Sequence, residues 1–235
     1  MGATPENVGT AIALLGGTLT PTLTITAANL LVVGVGYVDG GSQTTSVTWD
    51  VAGANQGLTL LKRQREAVST GYAVDLWYLL SPTPGSSKLV TVVMSGATNT
   101  GVWAMGVAGA NVIAGAAGAF GDTTLTGGTA DTEAGPSDPV TVTVLSGAGQ
   151  LVVDIMVAAT LSTVGADQTM ILDDITTGTQ FGGSYQDGAL GGTMTWTKDG
   201  GGTQNWAIAA VSILPPVAAG VLVDWGSYVD WRMPL

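Results

Sequence analysis

Histidine and cysteine are both missing from this 235-residue chain. Without them no Ser–His or Cys–His nucleophilic dyad can form, and no metal centre can be built on imidazole or thiolate. Disulfides are excluded too, although that leaves the compartment open. Charge is scarce: Asp, Glu, Lys and Arg make up 10% of the residues, against about 25% in an ordinary soluble domain. With three Glu and six Lys plus Arg in the whole chain, no amphipathic helix with a solvated charged face can be written. The net charge of −11 argues against nucleic acid or an anionic membrane as partner, because either needs a basic face. A phosphate-cradling G-x-x-x-x-G-K-[ST] run and a G-x-S-x-G nucleophile elbow are absent as well.

What remains is rich in Gly, Thr, Val and Ala, with 36 glycines. Segments of period two, bounded by turn formers, predict strands over 29–38, 44–50, 71–80, 88–95, 139–145, 150–158, 193–199 and 204–214. The stretch NLLVVGVGYV (29–38) is apolar on both faces, as in a strand covered on both sides. Its Gly34 and Gly36 share one face and leave room for a large neighbour. The phase of these strands predicts that Leu31, Val33, Val35, Val47, Trp49, Leu76, Leu151, Val153, Ile155 and Ile208 are buried. Gly101 to Gly121 carries no charge, but its glycines and Asn111 make it a strand plus a tight loop and not a membrane helix. Residues 110–138 read as a long loop between the halves of a sandwich.

The predicted fold class is all-β, an antiparallel β-sandwich or jelly roll. A short N-terminal arm (1–15), one sandwich domain (16–214) and an extended C-terminal tail (215–235) make up its organisation. The order QTTSVTWDVAGANQGLTLL, VDLWYLLSPTPGSSKLVTVVMSG, GVWAMGVAGAN, QLVVDIMVAAT, WAIAAVSILPP, spanning roughly residues 29–215, resembles a β-sandwich family. That family occurs in tailed-phage virion proteins, among them capsid decoration or cement proteins, and in secreted bacterial surface proteins. Asp50-Val51-Ala52-Gly53 stands where the family pattern has Gly-Gly, which predicts a longer turn.

Carboxylates and indoles are the remaining candidates for chemistry. Asp75 beside Trp77, Asp154 within LVVDIMV, and the Asp173-Asp174 pair would serve a glycosidase if two of them faced one cleft. Their mid-strand positions predict instead that Asp75 and Asp154 point outward and solubilise a sheet face. Asp167, Asp173, Asp174 and Asp187 offer hard oxygen ligands suited to Ca²⁺, but no EF-hand loop is present and turn formation accounts for them. Trp49, Trp77, Trp103, Trp196 and Trp206 would form either a sugar-stacking platform or core, and their strand phase favours core. Lys62-Arg63-Gln64-Arg65 reads as a solvated strand end.

The tail duplicates Val-Asp-Trp around Tyr228. As an extended segment it places Val223, Trp225, Val229 and Trp231 on one side, with Asp224, Tyr228 and Asp230 opposite. Val223, Trp225, Tyr228, Val229 and Trp231 are the candidate interface anchors. Two readings stand open: the tail covers its own sheet, or it crosses to a neighbouring subunit or shell. Taken with the absence of any legible cofactor, catalytic residue or metal site, the resemblance implies a non-enzymatic structural protein on the exterior of a phage virion, a capsid decoration or cement protein that docks on the shell or on neighbouring subunits. Its expected partners are a major capsid protein or other virion subunits, and further copies of itself as a homo-oligomer. The opening MGATPENVGT, with no basic segment or early apolar run, fits synthesis in the host cytoplasm without a signal peptide. The alternatives are a carbohydrate-binding or adhesive module of a phage tail or bacterial surface, which would take a glycan, and a glycoside hydrolase.

Overall fold

The computed structural model describes residues 2–38, 40–65, 71–112, 119–120, 139–159, 162–176, 178–198 and 205–216. In chain order its strands are β1 (Thr4–Leu19), β2 (Thr22–Ile25), β3 (Leu30–Val38), β4 (Thr44–Trp49), β5 (Gln56–Gly57), β6 (Thr59–Arg65), β7 (Tyr72–Leu80) and β8 (Gly85–Ala108). There follow β9 (Val140–Thr143), β10 (Leu151–Ala158), β11 (Ser162–Val164), β12 (Thr169–Thr176), β13 (Thr179–Asp187), β14 (Thr193–Lys198) and β15 (Trp206–Ile213). The strand pairings are antiparallel throughout the described residues, so the all-β sandwich expected from the period-two pattern is the fold.

The first half of the chain builds one eight-stranded sheet, ordered β5-β4-β8-β3-β7-β6, with β1 and β2 also on β8. β8 is its hub. Residues 85–94 pair with β2, β4 and the end of β1 (Thr18 and Leu19), whereas residues 100–108 pair with β3 and the first part of β1. The sheet thereby closes over its own core, which joins Val90, Val92 and Met94 from the first half of β8 to Val102 and Ala104 from the second. Leu31, Val33, Val35, Val47 and Trp49 fill the same space. The second half of the chain builds a four-stranded sheet (β12-β13-β10-β15) and a three-stranded sheet (β11-β14-β9).

Two further cores join these layers. Val74, Leu76 and Trp103 of the large sheet meet Leu151, Val153, Ile155 and Phe181 of the four-stranded sheet. On the opposite face of that sheet, Val152, Met156 and Ile208 meet Val140, Met194 and Trp196 of the three-stranded one. β3 and β10 thus have cores on both faces, which explains their unbroken apolar runs. All ten residues expected in the core are at most 4% exposed, but they are divided among the three cores.

Aromatic rings seated on glycines lock the layers together. Trp103 lies over Gly34 of β3 and Gly183 of β13, so closely that a Cβ at either position would overlap the indole. Gly101 receives Phe181 in the same way, and Gly182, on the other face of β13, receives Trp196. The large neighbour expected near Gly34 is therefore Trp103.

Residues 4–15, expected as part of an arm, enter the large sheet in β1, with Thr4–Ala13 antiparallel to residues 100–108. Glu6 secures this strand. Its carboxylate accepts from the backbone N–H groups of Thr26 (2.7 Å), Ala27 (2.8 Å) and Ala28 (2.5 Å) and from the Thr26 hydroxyl. The turn after β4 is longer than Gly-Gly, as expected: residues 50–55 separate β4 from β5, and Asp50 adopts a φ of 49°. Most of the 110–138 stretch lies outside the described residues; within it, Phe120 is buried, bridges to Ile213 and meets Tyr78 edge to face.

Candidate functional site

Asp75 and Asp154 are both fully buried, which corrects the expectation that they face solvent. A mid-strand polar residue points outward only if one sheet face is wet, and here additional layers cover both faces of β7 and β10. Asp75 shares its face of β7 with Ala73 and Trp77, within the core of the folded-over sheet. Arg63 of β6 neutralises it through Nε–Oδ1 and Nη2–Oδ2 contacts of 2.7 Å each, a bidentate pair. The same guanidinium donates to Gln43 Oε1 and the Thr44 carbonyl, tying β6 to the start of β4. The basic run on β6 is thus more than a solvated strand end.

Asp154 has hydrogen-bond donors where Asp75 has a cation. Ser184 donates its backbone N–H (2.6 Å) and hydroxyl (2.9 Å) to Oδ1, and Trp196 Nε1 donates to Oδ2 (2.8 Å). Gln168 extends the network, donating to the Ser184 hydroxyl and accepting from the Thr195 backbone N–H. Burial pushes the Asp154 carboxyl up to about 7, against the Trp196 and Ser184 bonds that pull it down. A carboxyl held near neutrality has the acidity of a general acid, but this one is sealed between two sheets. The core containing Asp75 lies on the far side of two intervening sheets. At about 10 Å per layer the two carboxylates are too far apart to flank one glycosidic bond.

The remaining acidic candidates hold loops and strands. Asp173 accepts from Gln180 Nε2 at 2.7 Å, and Asp187 caps the 3₁₀ turn Gly188–Leu190 by accepting from the Ala189 N–H. Asp173 and Asp174 are consecutive in β12 and project from opposite faces. Among the described residues, no three acidic side chains come together to hold a metal ion. Trp49, Trp77, Trp103, Trp196 and Trp206 are at most 7% exposed, so these five offer no stacking platform. Val223, Trp225, Tyr228, Val229 and Trp231 lie outside the described residues.

One surface feature was not anticipated from the sequence. An open groove of about 410 Å³ lies between the turn after β4 and the start of β8, lined by Asp50, Val51, Ala52, Lys88, Leu89 and Thr91. Asp50 accepts from the Ala54 N–H at 3.1 Å, and Lys88 Nζ lies 3.3 Å from its carboxylate. The Ala54 bond, opposed by partial desolvation and aided by Lys88, holds the Asp50 carboxyl below its usual range. The irregular Asp50-Val51-Ala52-Gly53 turn is the only sequence signal of this groove, because the β4–β8 register brings Lys88 alongside.

No family model matches the chain, and no curated protein matches it. Among solved structures, an oxalate decarboxylase from Bacillus subtilis aligns over 92% of this chain and 76% of its own, with 8% identity and a TM-score of 0.16. That likeness is too slight to bear on fold or function.

Proposed function

We propose that this chain is a non-enzymatic structural protein of a tailed-phage virion, a capsid decoration protein that docks on the outside of the shell or on neighbouring subunits. One observation carries the reading: the side chains that would do chemistry are engaged in tying strands to one another and, at Asp154, one layer to the next. Asp75 is bound to Arg63, Asp154 to Ser184 and Trp196, and Asp173 to Gln180, while five indoles lie in the cores. A shell-binding protein needs rigid contact surface and no reacting group, and this layered body supplies it. The resemblance of residues 29–215 to virion sandwich domains adds support at the level of the fold. An acidic chain also suits an outward-facing position, away from packaged nucleic acid.

Cryo-EM of purified particles that carry this protein tests the reading. Density for the layered sandwich is expected in symmetry-related copies on the outer shell. Absence of the chain from the particles would overturn it. So would glycan turnover abolished by one Asp substitution with the fold intact.

A further inference from the structure

Four groups meet around Ser184 in the order that an acyl transfer requires. The Ser184 hydroxyl donates to Asp154 Oδ1 at 2.9 Å, and both residues are fully buried. The same oxygen accepts from Gln168 Nε2 at 2.7 Å. The Gln168 carboxamide oxygen accepts from the Thr195 backbone N–H, also at 2.7 Å. A backbone N–H can only donate, so Thr195 fixes which end of the amide faces Ser184. The amide is closely seated: a Cβ at Gly165, in the turn between β11 and β12, would lie 2.6 Å from its oxygen.

Polar satisfaction explains each of these bonds singly. Together they are also a hydroxyl nucleophile, a carboxylate base, an acyl carbon and an oxyanion donor, a set that hydrogen bonding alone does not call for. The acyl carbon, Gln168 Cδ, is bonded to Nε2 and so lies within about 4 Å of Ser184 Oγ, given a C–N bond of about 1.3 Å. Reacting atoms meet at about 3–3.5 Å, so a small rotation of the amide suffices. Asp154, pushed up to about 7 by burial, is partly ionised at neutral pH and basic enough to take a hydroxyl proton. Its sealed position excludes an outside substrate but not a reaction between two of the chain's own side chains, and it shields the product from water.

We propose that Ser184 and Gln168 become joined by an intramolecular ester that the folded chain makes itself, with Asp154 as the base. Ser184 Oγ attacks Gln168 Cδ while Asp154 Oδ1 takes the hydroxyl proton. The Thr195 N–H stabilises the negative charge that develops on Gln168 Oε1. Asp154 then returns the proton to Nε2, the Cδ–Nε2 bond breaks, and ammonia leaves past the half-buried Gln168 to solvent. One C–O bond replaces one C–N bond, nothing is oxidised or reduced, and no co-reactant is consumed. The ester ties the turn before β12 to the middle of β13. It is a self-modification without turnover, so it extends the structural reading and does not depend on a place in a virion.

Mass spectrometry of the purified full-length protein, incubated folded at neutral pH, tests the proposal. The intact chain is expected to be lighter than its sequence by one ammonia. Ser184→Ala, Gln168→Leu and Asp154→Asn should each remove that deficit and leave far-UV circular dichroism unchanged. An Asp-specific protease cuts at Asp173 and Asp174, between the two residues. The peptides that carry Gln168 and Ser184 should stay joined after this digestion, and hydroxylamine, which cleaves esters and spares amides, should part them. This wild-type peptide map decides the matter even where a variant fails to fold. A folded wild-type chain of full mass would overturn the proposal. So would a deficit carried on a linear peptide, or one that survives Ser184→Ala. A deficit that survives Asp154→Asn would overturn the part given to Asp154.

Discussion

At the scale of single residues, the glycines under aromatic rings and the buried Asp154 are the positions most sensitive to change. A methyl group at Gly34 would overlap the Trp103 ring, whereas at Gly36 its nearest contact would be Phe181 Cδ1 at 3.3 Å. Gly34→Ala is therefore expected to cost about 2 kcal/mol or more through overpacking, and Gly36→Ala less than about 1 kcal/mol. Urea denaturation of the two variants measures the difference. Asp154 keeps its proton up to about pH 7 in the folded chain, while its ordinary value is 3.8. Between these values the unfolded chain binds fewer protons than the folded one. The contribution of this group to stability therefore falls as pH rises from about 4 to about 7, by on the order of 4 kcal/mol in total, and is level above that. Asp154→Asn is expected to flatten this slope in denaturation midpoints at pH 4.5, 6 and 7.5. Glu6 works in the opposite direction. Desolvation raises its carboxyl, but the Thr26 hydroxyl and three backbone N–H bonds outweigh that and leave it below its usual range. Its contribution is present above the ordinary carboxylate range and is lost at lower pH, so the two effects occupy different windows.

At the scale of elements, β6 and β1 depend on specific polar ties. Arg63 is the cation on a fully buried Asp75. Arg63→Ala should destabilise the fold by about 3 kcal/mol, because it leaves a buried carboxylate without its partner. Replacing both residues, as in Arg63→Met with Asp75→Leu, should recover most of that loss, and a double-mutant cycle in urea measures it. Glu6→Ala should speed hydrogen exchange at the Thr26, Ala27 and Ala28 amides, whose acceptor it removes. The strands marked by alternation or by an unbroken apolar run between turn formers, β3, β4, β7, β10, β14 and β15, were legible within a residue or two of their observed ends. β13 was not. Its Gly182-Gly183 pair has the composition of a turn, yet each glycine makes room for an indole that arrives from a different sheet. β1 was hidden in the same way, since its polar and small residues gain strand character by pairing with β8.

At the scale of the whole molecule, three cores in series couple two halves of the chain that are separate in sequence. Trp103 of the first half rests on Gly183 of the second, and Phe181 of the second rests on Gly101 of the first. Because neither half can shed these contacts without exposing a core, one cooperative unfolding transition is expected, with tryptophan fluorescence and far-UV circular dichroism changing together. Two separated transitions would show that the halves are independent.

The sequence by itself determined the β class, the phase of the strands and the identity of ten core residues, because alternation is a local consequence of strand geometry. It also set the limits on chemistry, since His and Cys are absent from every part of the chain. Only the tertiary structure decided that Asp75 and Asp154 are buried and that Arg63 is an ion-pair partner. A period of two separates the two faces of a strand but does not say whether the polar face meets water or another layer. The stacking of four layers, fixed by contacts between residues far apart in the chain, settled that, and the same long-range register brought Lys88 to the groove beside Asp50.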